Sequence, residues 1–313
     1  MKLTVEYNAI NEYNTFSNGD SLLGQVVVEV SKKTTIKSLT IKAKGKAHVA
    51  WTETHGDHQV TYWDNEKYFS QTQSILPSEN NNGSFTIGPG RHSFPIMVQL
   101  PVIEMPSSFK GESGKVEYHL VAHLSRTLRV PSKALTKFTF VSRPDTLLPV
   151  AMSPQYGVKE KDVIFFASGN ISMNIYLEKT GYQQGENLVV RGELVNSSTR
   201  KIVPKYIIYQ KQSFFAQGHR RVHTSSILKE KEAPLSSSTR QTVSKVLTIP
   251  WGVTPTILNC RILKVEYRLK VVLDVSFTKN PEIKLPLIVL PAQDRAIVQH
   301  LETCQLQKYT WKS

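Results

Sequence analysis

The run Val265-Glu266-Tyr267-Arg268-Leu269-Lys270-Val271-Val272-Leu273-Asp274-Val275 constrains the fold more than any other stretch of the chain. Val265, Tyr267, Leu269, Val271, Leu273 and Val275 fall on one side, and Glu266, Arg268, Lys270 and Asp274 on the other. A period of two belongs to a β-strand, whose successive side chains point to opposite faces of a sheet. Such a strand covers a core with one face and meets water with the other. Ile171, Met173, Ile175 and Leu177 alternate in the same way, as do Val116, Tyr118, Leu120, Ala122 and Leu124. Turn-forming clusters stand between such runs: Ser17-Asn18-Gly19-Asp20, Asn80 to Gly83, Gly88-Pro89-Gly90 and Asn196-Ser197-Ser198. No amphipathic helix is legible before the C-terminal tail. Many short strands with Gly and Pro turns predict antiparallel β-sandwiches, with at most a turn or two of helix in the first domain or the tail.

The strands come in two sets. Phe16-x-x-Gly19-Asp20-x-Leu22 returns as Tyr182-x-x-Gly185-Glu186-x-Leu188, and Lys115-Val116-Glu117-Tyr118-His119-Leu120 returns as Lys264-Val265-Glu266-Tyr267-Arg268-Leu269. Two matched motifs in the same order indicate a duplicated domain; the period is too long for a solenoid repeat. From Phe16 to Val116 is 100 residues and from Tyr182 to Val265 is 83, so the first copy is 17 residues longer. The polar stretch from Pro77 to His92 is the expected site of that insertion, because surface loops lengthen cheaply. Pro144, Pro149, Pro154 and Gly157 mark a boundary between Ser142 and Asp162. The reading is therefore all-β: one sandwich over 1–145, a connector over 146–162, a second sandwich over 163–291 and a short tail over 292–313.

The bulk composition fits two globular domains in 313 residues, with 40% hydrophobic and 20% charged residues. No apolar run is long enough to cross a membrane as a helix. The start, Met1 to Tyr7, lacks the apolar segment of a secretory signal, Lys2 stands where myristoylation needs Gly, and Thr310-Trp311-Lys312-Ser313 is no prenylation box. Two cysteines, Cys260 and Cys304, make neither a disulfide framework nor a structural zinc site, and point to a reducing interior. In that setting the glycosylation sequons at Asn82, Asn170 and Asn196 are chance matches.

No catalytic constellation is legible, and the chain is expected not to be an enzyme and to need no cofactor or metal. Gly19-Asp20-Ser21-Leu22 spells part of a lipase-type motif, but it leads into a strand and its repeat copy, Gly185-Glu186-Asn187-Leu188, has no Ser. His55-Gly56-Asp57-His58 reads as a polar loop. His119 and His123 share the polar face of one strand with Glu117, yet side chains four apart on a strand lie about 13 Å apart and cannot chelate one ion, so a solvated face is expected.

The formal charge of +14 favours acidic partners. Lys42, Lys44 and Lys46 alternate with Ile41, Ala43 and Gly45, which predicts a lysine ridge on one strand face, and Lys32 and Lys33 lie nearby. Arg220 and Arg221, within His219 to His223, belong to an expected hairpin after Phe214-Phe215. Lys42, Lys44, Lys46, Arg220 and Arg221 are the candidate anion- or partner-binding groups, for phosphorylated tails or acidic lipid. No nucleic-acid-binding motif accompanies them, so nucleic acid is not expected.

The ordered motifs resemble those of the arrestins, and within them the α-arrestins, or arrestin domain-containing proteins. Gly88-Pro89-Gly90-Arg91-His92-Ser93-Phe94-Pro95, Leu100-Pro101, Pro106-Ser107-Ser108-Phe109-Lys110-Gly111 and Gly114 to Tyr118 are similar to the family's N-domain. Glu178 to Glu186, Asn196-Ser197-Ser198, Pro204, Ile208-Tyr209, Ile257-Leu258-Asn259-Cys260, Val265-Glu266-Tyr267 and Leu285 to Val289 are similar to its C-domain. The resemblance spans residues 1 to 291. It implies two immunoglobulin-like sandwiches in a curved pair. It also implies a cytoplasmic adaptor, peripheral at the plasma membrane or endosomes, that binds the cytoplasmic parts of membrane receptors or transporters and links them to endocytic sorting or ubiquitination. The family often reaches ubiquitin ligases through Pro-Pro-x-Tyr motifs; this chain has no Pro-Pro pair, so that route is not expected of it. The competing reading is another two-sandwich sorting or scaffold subunit, of retromer type, without ligase coupling.

Overall fold

The computed structural model describes residues 1–76, 84–143, 147–162, 169–276 and 280–292. The expected Asn80 to Gly83 turn, the sequon at Asn82, Pro144 and the tail from 293 onward, with Cys304, lie outside the described residues. The chain clusters into two units. The first takes Met1–Arg143 with Gln212–His223 and Ile257–Lys264, and the second takes the remainder.

Strands β1 (Lys2–Tyr7), β2 (Thr15–Phe16), β3 (Ser21–Val30), β4 (Thr34–His55), β5 (His58–Ser74), β6 (Phe85–Ile87), β7 (Gly90–Gln99), β8 (Phe109–Lys110), β9 (Gly114–Arg126) and β10 (Arg129–Phe140) build the first sandwich. One sheet runs β1-β3-β7; the other runs β2-β10-β9-β4-β5, with β6 beside β4 and β8 beside β9. Tyr118 of β9 is buried among Phe69, Phe138 and Phe140, and its hydroxyl donates to the Pro106 carbonyl at 2.6 Å. Tyr7 and Phe16 meet edge-on at 5.6 Å, joining β1 to β2.

A four-residue helix, α1 (Leu148–Ala151), precedes the second set: β11 (Gln155–Asp162), β12 (Asn170–Leu177), β13 (Gly181–Gln183), β14 (Asn187–Asn196), β15 (Ile202–Ala216), β16 (His219–Lys231), β17 (Thr239–Thr248), β18 (Leu263–Val275) and β19 (Glu282–Leu290). Its sheets run β11-β12-β14-β17 and β13-β19-β18-β15-β16. The segment expected as a connector over 146–162 thus carries structure. β11 pairs residue for residue with β12, so the chain enters a sheet at Gln155 and not at residue 163, and the only helix among the described residues lies here. Asn196, read as a sequon by its spelling, is fully buried, and its side-chain amide donates to the Arg200 and Ser236 carbonyls.

The duplication holds in atomic detail. Gly19 and Gly185 both adopt left-handed backbone, at φ +77° and +81°. The Asp20 carboxylate accepts the Ser17 amide at 2.6 Å, as the Glu186 carboxylate accepts the Gln183 amide at 2.7 Å. Leu22 and Leu188 are fully buried. The Tyr267 hydroxyl donates to the Thr254 carbonyl at 2.6 Å, as Tyr118 does to Pro106. Central strands β9 and β18 occupy the same place in their sheets, between β10 and β4 and between β19 and β15.

The extra length of the first copy is only partly where the sequence pointed. The hairpin β4–β5 spans 41 residues against 30 for β15–β16, an excess of 11. The segment from β5 to β7, which holds β6, has 15 residues against 7 between β16 and β17, while the turn before the hairpin has 3 against 5. Most of the insertion is therefore paired strand. A long hairpin satisfies its own backbone hydrogen bonds as it grows, so lengthening it leaves the sandwich undisturbed.

Candidate anion-binding face

The alternation over β4 is realised as a face. Ile41, Ala43 and Ala47 are buried, while Lys42, Lys44 and Lys46 point away from the core. Gly45 is the inward residue between Lys44 and Lys46; a Cβ there would come within 2.5 Å of the Tyr118 ring and 2.9 Å of the Phe69 ring, so only glycine admits both aromatics. Lys42 sits between Val121 of β9 and Thr72 of β5, Lys44 between His119 and Ser70, and Lys46 between Glu117 and Lys67. The pairing of β4 with β5 shifts between Gly45 and Lys46. Beside that bulge a cavity of about 430 Å³ is lined by all three lysines with Asn65, Glu66, Lys67 and Ser70.

On the other side, β10 brings Lys137 opposite His119, Leu135 opposite Val121 and Lys133 opposite His123. Lysines on β4 and β10 thus flank a floor made by β9. The acid on that floor, Glu117, is held by Lys115 at 2.8 Å and Lys137 at 2.5 Å. Burial pushes its pKa up, but the hydrogen bonds from the two lysines outweigh it and hold the carboxyl at about 2. Among the described residues Lys42, Lys44 and Lys46 make no salt bridge.

His119 corrects the sequence reading of a solvated strand face. It is 6% exposed, because long side chains on both neighbouring strands flank it. Neither ring nitrogen has a hydrogen-bond partner, and the Glu117 carboxylate lies 3.7 Å from Nε2. Burial, then Lys44, Lys137 and Lys46, depress its pKa against the pull of Glu117. Burial, then Lys133, Lys42 and Lys44, depress that of His123. Both imidazoles are neutral at neutral pH.

Arg220 and Arg221 do not join this face. Both are exposed on β16 and do not line the lysine cavity. Arg220 donates to Ser213 Oγ at 2.9 Å and lies over the Phe215 ring at 5.5 Å. Arg221 lies beside the Thr52 carbonyl and lines a separate cavity of about 320 Å³ with Trp51, Glu112 and His223. The sequence reading missed Lys133, Lys137, His119 and His123 as members of the lysine face. Lys133, Leu135 and Lys137 do alternate, but only the β9–β10 register shows which residues they meet.

Ser21 opens β3, a strand and not a strand-to-helix turn, and donates to Gln99 Oε1 at 2.8 Å. Among the described residues no group of three or more His, Cys, Asp or Glu is placed to hold a metal, and no helix is long and apolar enough to cross a membrane. Cys260 is buried and accepts a hydrogen bond from the Tyr68 hydroxyl at 3.2 Å, which fits a core residue.

Residues 3–146 match the family described as Arrestin (or S-antigen), N-terminal domain, and residues 167–293 match Arrestin (or S-antigen), C-terminal domain. The chain is 30% identical over 284 residues to Arrestin domain-containing protein 4 of Homo sapiens, covering 88% of this chain and 68% of the relative. It is 27% identical over 281 residues to Thioredoxin-interacting protein of Mus musculus, covering 88% and 70%. With both arrestin domains matched in order and the repeat geometry of two sandwiches behind them, the chain belongs to the arrestin family, among the α-arrestins.

Proposed function

We propose that this chain is a non-enzymatic adaptor that binds acidic or phosphorylated segments in the cytoplasmic parts of membrane receptors or transporters and links them to endocytic sorting or ubiquitination. The lysine face on β4 carries the reading. Lys42, Lys44 and Lys46 are unpaired among the described residues, share one cavity and are backed by Lys133 and Lys137. Unpaired cations gathered on a rigid sheet attract anions and need no rearrangement to meet them. The place of work is the cytoplasm, peripheral at the plasma membrane or endosomes. Ligase recruitment does not run through a Pro-Pro-x-Tyr motif in these 313 residues, which contain none. Isolated WW domains are expected to bind the chain weakly or not at all.

The test replaces Lys42, Lys44 and Lys46 by Glu and titrates an acidic or phosphorylated peptide at low and high salt. Exposed charge pairs are worth up to about 1 kcal/mol each, so the variant is expected to bind roughly ten to a hundred times more weakly at low salt. The gap should narrow at physiological ionic strength, where screening acts beyond about 8 Å. Equal binding by both proteins, or binding without salt dependence, would refute the role of this face.

A further inference from the structure

A second basic region lies at one end of the first sandwich, apart from the Lys42 cavity. β9 and β10 are joined by the two-residue turn Thr127-Leu128, and Leu128 has φ +53°, in the left-handed region. Two other tight hairpins place glycine in their turns: Gly56 at φ +61° between β4 and β5, and Gly218 at φ +79° between β15 and β16. A leucine at such a position is disfavoured, and here it gains no packing in return, being 97% exposed. Val130, two residues on, is 84% exposed, and Pro131 follows where the register with β9 shifts.

Cations surround this apolar tip. Arg126 and Arg129 pair across the base of the hairpin, and buried Arg126 Nε has no hydrogen-bond partner. Lys37 sits at the irregularity of β4 beside Arg126, and Lys32 and Lys33 form the turn that leads into β4. Residues 30–52 and 118–143 contain no acid; of the acids that border them, Glu29 stands opposite Arg91 and Glu117 lies at the far end of β9.

We propose that this end docks on an anionic lipid bilayer, with Leu128 and Val130 entering the apolar layer and Arg126, Arg129, Lys37, Lys32 and Lys33 meeting lipid phosphates. Stable peripheral binding takes two signals, an apolar insertion and a basic patch, and both are present within one hairpin and its neighbours. Two apolar side chains on a tip are too small for a protein interface, which covers about 800 Å² per partner. The proposal deepens the peripheral location proposed above and rests on it, but it is independent of the Lys42 face.

The experiment uses the 313-residue chain and vesicles of phosphatidylcholine alone or mixed with phosphatidylserine. The wild type is expected to partition onto the mixed vesicles and not onto the neutral ones. Leu128→Asn combined with Val130→Thr should keep the fold, because Asn tolerates left-handed backbone and Thr suits a strand. Its melting temperature should be equal or higher, while partitioning falls about tenfold, equivalent to 1.4 kcal/mol. Lys32→Glu with Lys33→Glu should lower partitioning further as a separate variant. Binding of the acidic peptide should survive in both; if peptide binding fails while vesicle binding stands, the adaptor reading falls and this one remains. The proposal is overturned if the wild type does not distinguish the two vesicles, or if the Leu128→Asn, Val130→Thr variant partitions as well as the wild type.

Discussion

The outer faces of β4 in the first sandwich and β15 in the second occupy the same place in duplicated sheets, yet their charges are managed differently. On β15, Lys205 pairs with Asp274 and Lys211 with Glu266 at 3.5 Å, while Lys270 and Lys284 share Glu282 on the neighbouring strands. Lys205, Lys211 and Lys270 each have an acid on the adjacent strand, and Lys284 has one two residues away on its own. On β4, Lys42, Lys44 and Lys46 face Val121, His119 and Glu117; the Glu117 carboxylate is already held by Lys115 and Lys137, and Glu66, which lines the same cavity, accepts the Arg261 amide at 2.9 Å. A face that served only solubility would be well made by the paired pattern. The same fold leaves the three β4 lysines without salt bridges among the described residues, and that contrast is what the proposed binding role rests on.

The comparison can be broken first at its shared skeleton. Tyr118→Ala and Tyr267→Ala should each cost about 3–5 kcal/mol, since each empties a buried ring site and orphans a carbonyl. Urea unfolding should show the two losses to be alike, and a much smaller loss at either would show that the copies are not energetically equivalent. Next comes the contrast itself. Neutralising Lys205 and Lys211 with Gln should leave acidic-peptide binding unchanged and lower stability by no more than about 1 kcal/mol, against the ten- to hundredfold binding loss expected for the β4 triple variant. If both faces bind the peptide equally, the contrast carries no function. A smaller effect tests the repeated turn: Asp20→Ala and Glu186→Ala should each cost about 1–2 kcal/mol by releasing the Ser17 or Gln183 amide. Thermal melts of the two variants would expose any inequality.

The smallest effect is the pH slope set by His119 in the first copy. The folded pKa of His119 lies below its ordinary 6.5, so the unfolded chain takes up the proton first as pH falls. The associated stability is complete above about pH 6.5 and declines as pH falls toward the folded value. Anion binding runs the other way: an anion beside His119 and His123 raises their pKa, so binding should tighten through the same window. His119→Gln should flatten the stability slope in melts and reduce the binding slope, which His123 still supports, in titrations, and a variant that keeps the wild-type slopes would remove His119 from the account.

Much of this was legible because it is local. The alternation of β18, the Gly-acid turns and the two Val-Glu-Tyr motifs each follow from neighbours in sequence, and the Lys42, Lys44 and Lys46 ridge follows from a period of two. What escaped depends on pairing between distant segments. β11 reads Gln-Tyr-Gly-Val-Lys-Glu-Lys-Asp, and its apolar residues Tyr156 and Val158 are exposed, so no buried stripe announces it; its order comes from β12. His119 looks solvated until the registers of β4 and β10 place lysines on both sides of it. The length of β4–β5 was hidden because its distal half alternates weakly, from Thr52 to Gln59.

The parallel pairing of β2 with β10 sets a timetable for synthesis. Phe16 lies beside Phe140, so the strand that borders the larger sheet cannot find its place until 124 further residues have been made. At a translation rate of about 5–20 residues per second that wait is roughly 6–25 s. During it the first strands emerge from the ribosome with Val5, Phe16 and Leu22 uncovered, residues that are buried once the sheet is complete. The second copy repeats the delay, since Gly181 pairs with Ile288. Each half of the nascent chain therefore presents a window in which a holding chaperone competes with aggregation, and the window closes only when the last strand of that half arrives.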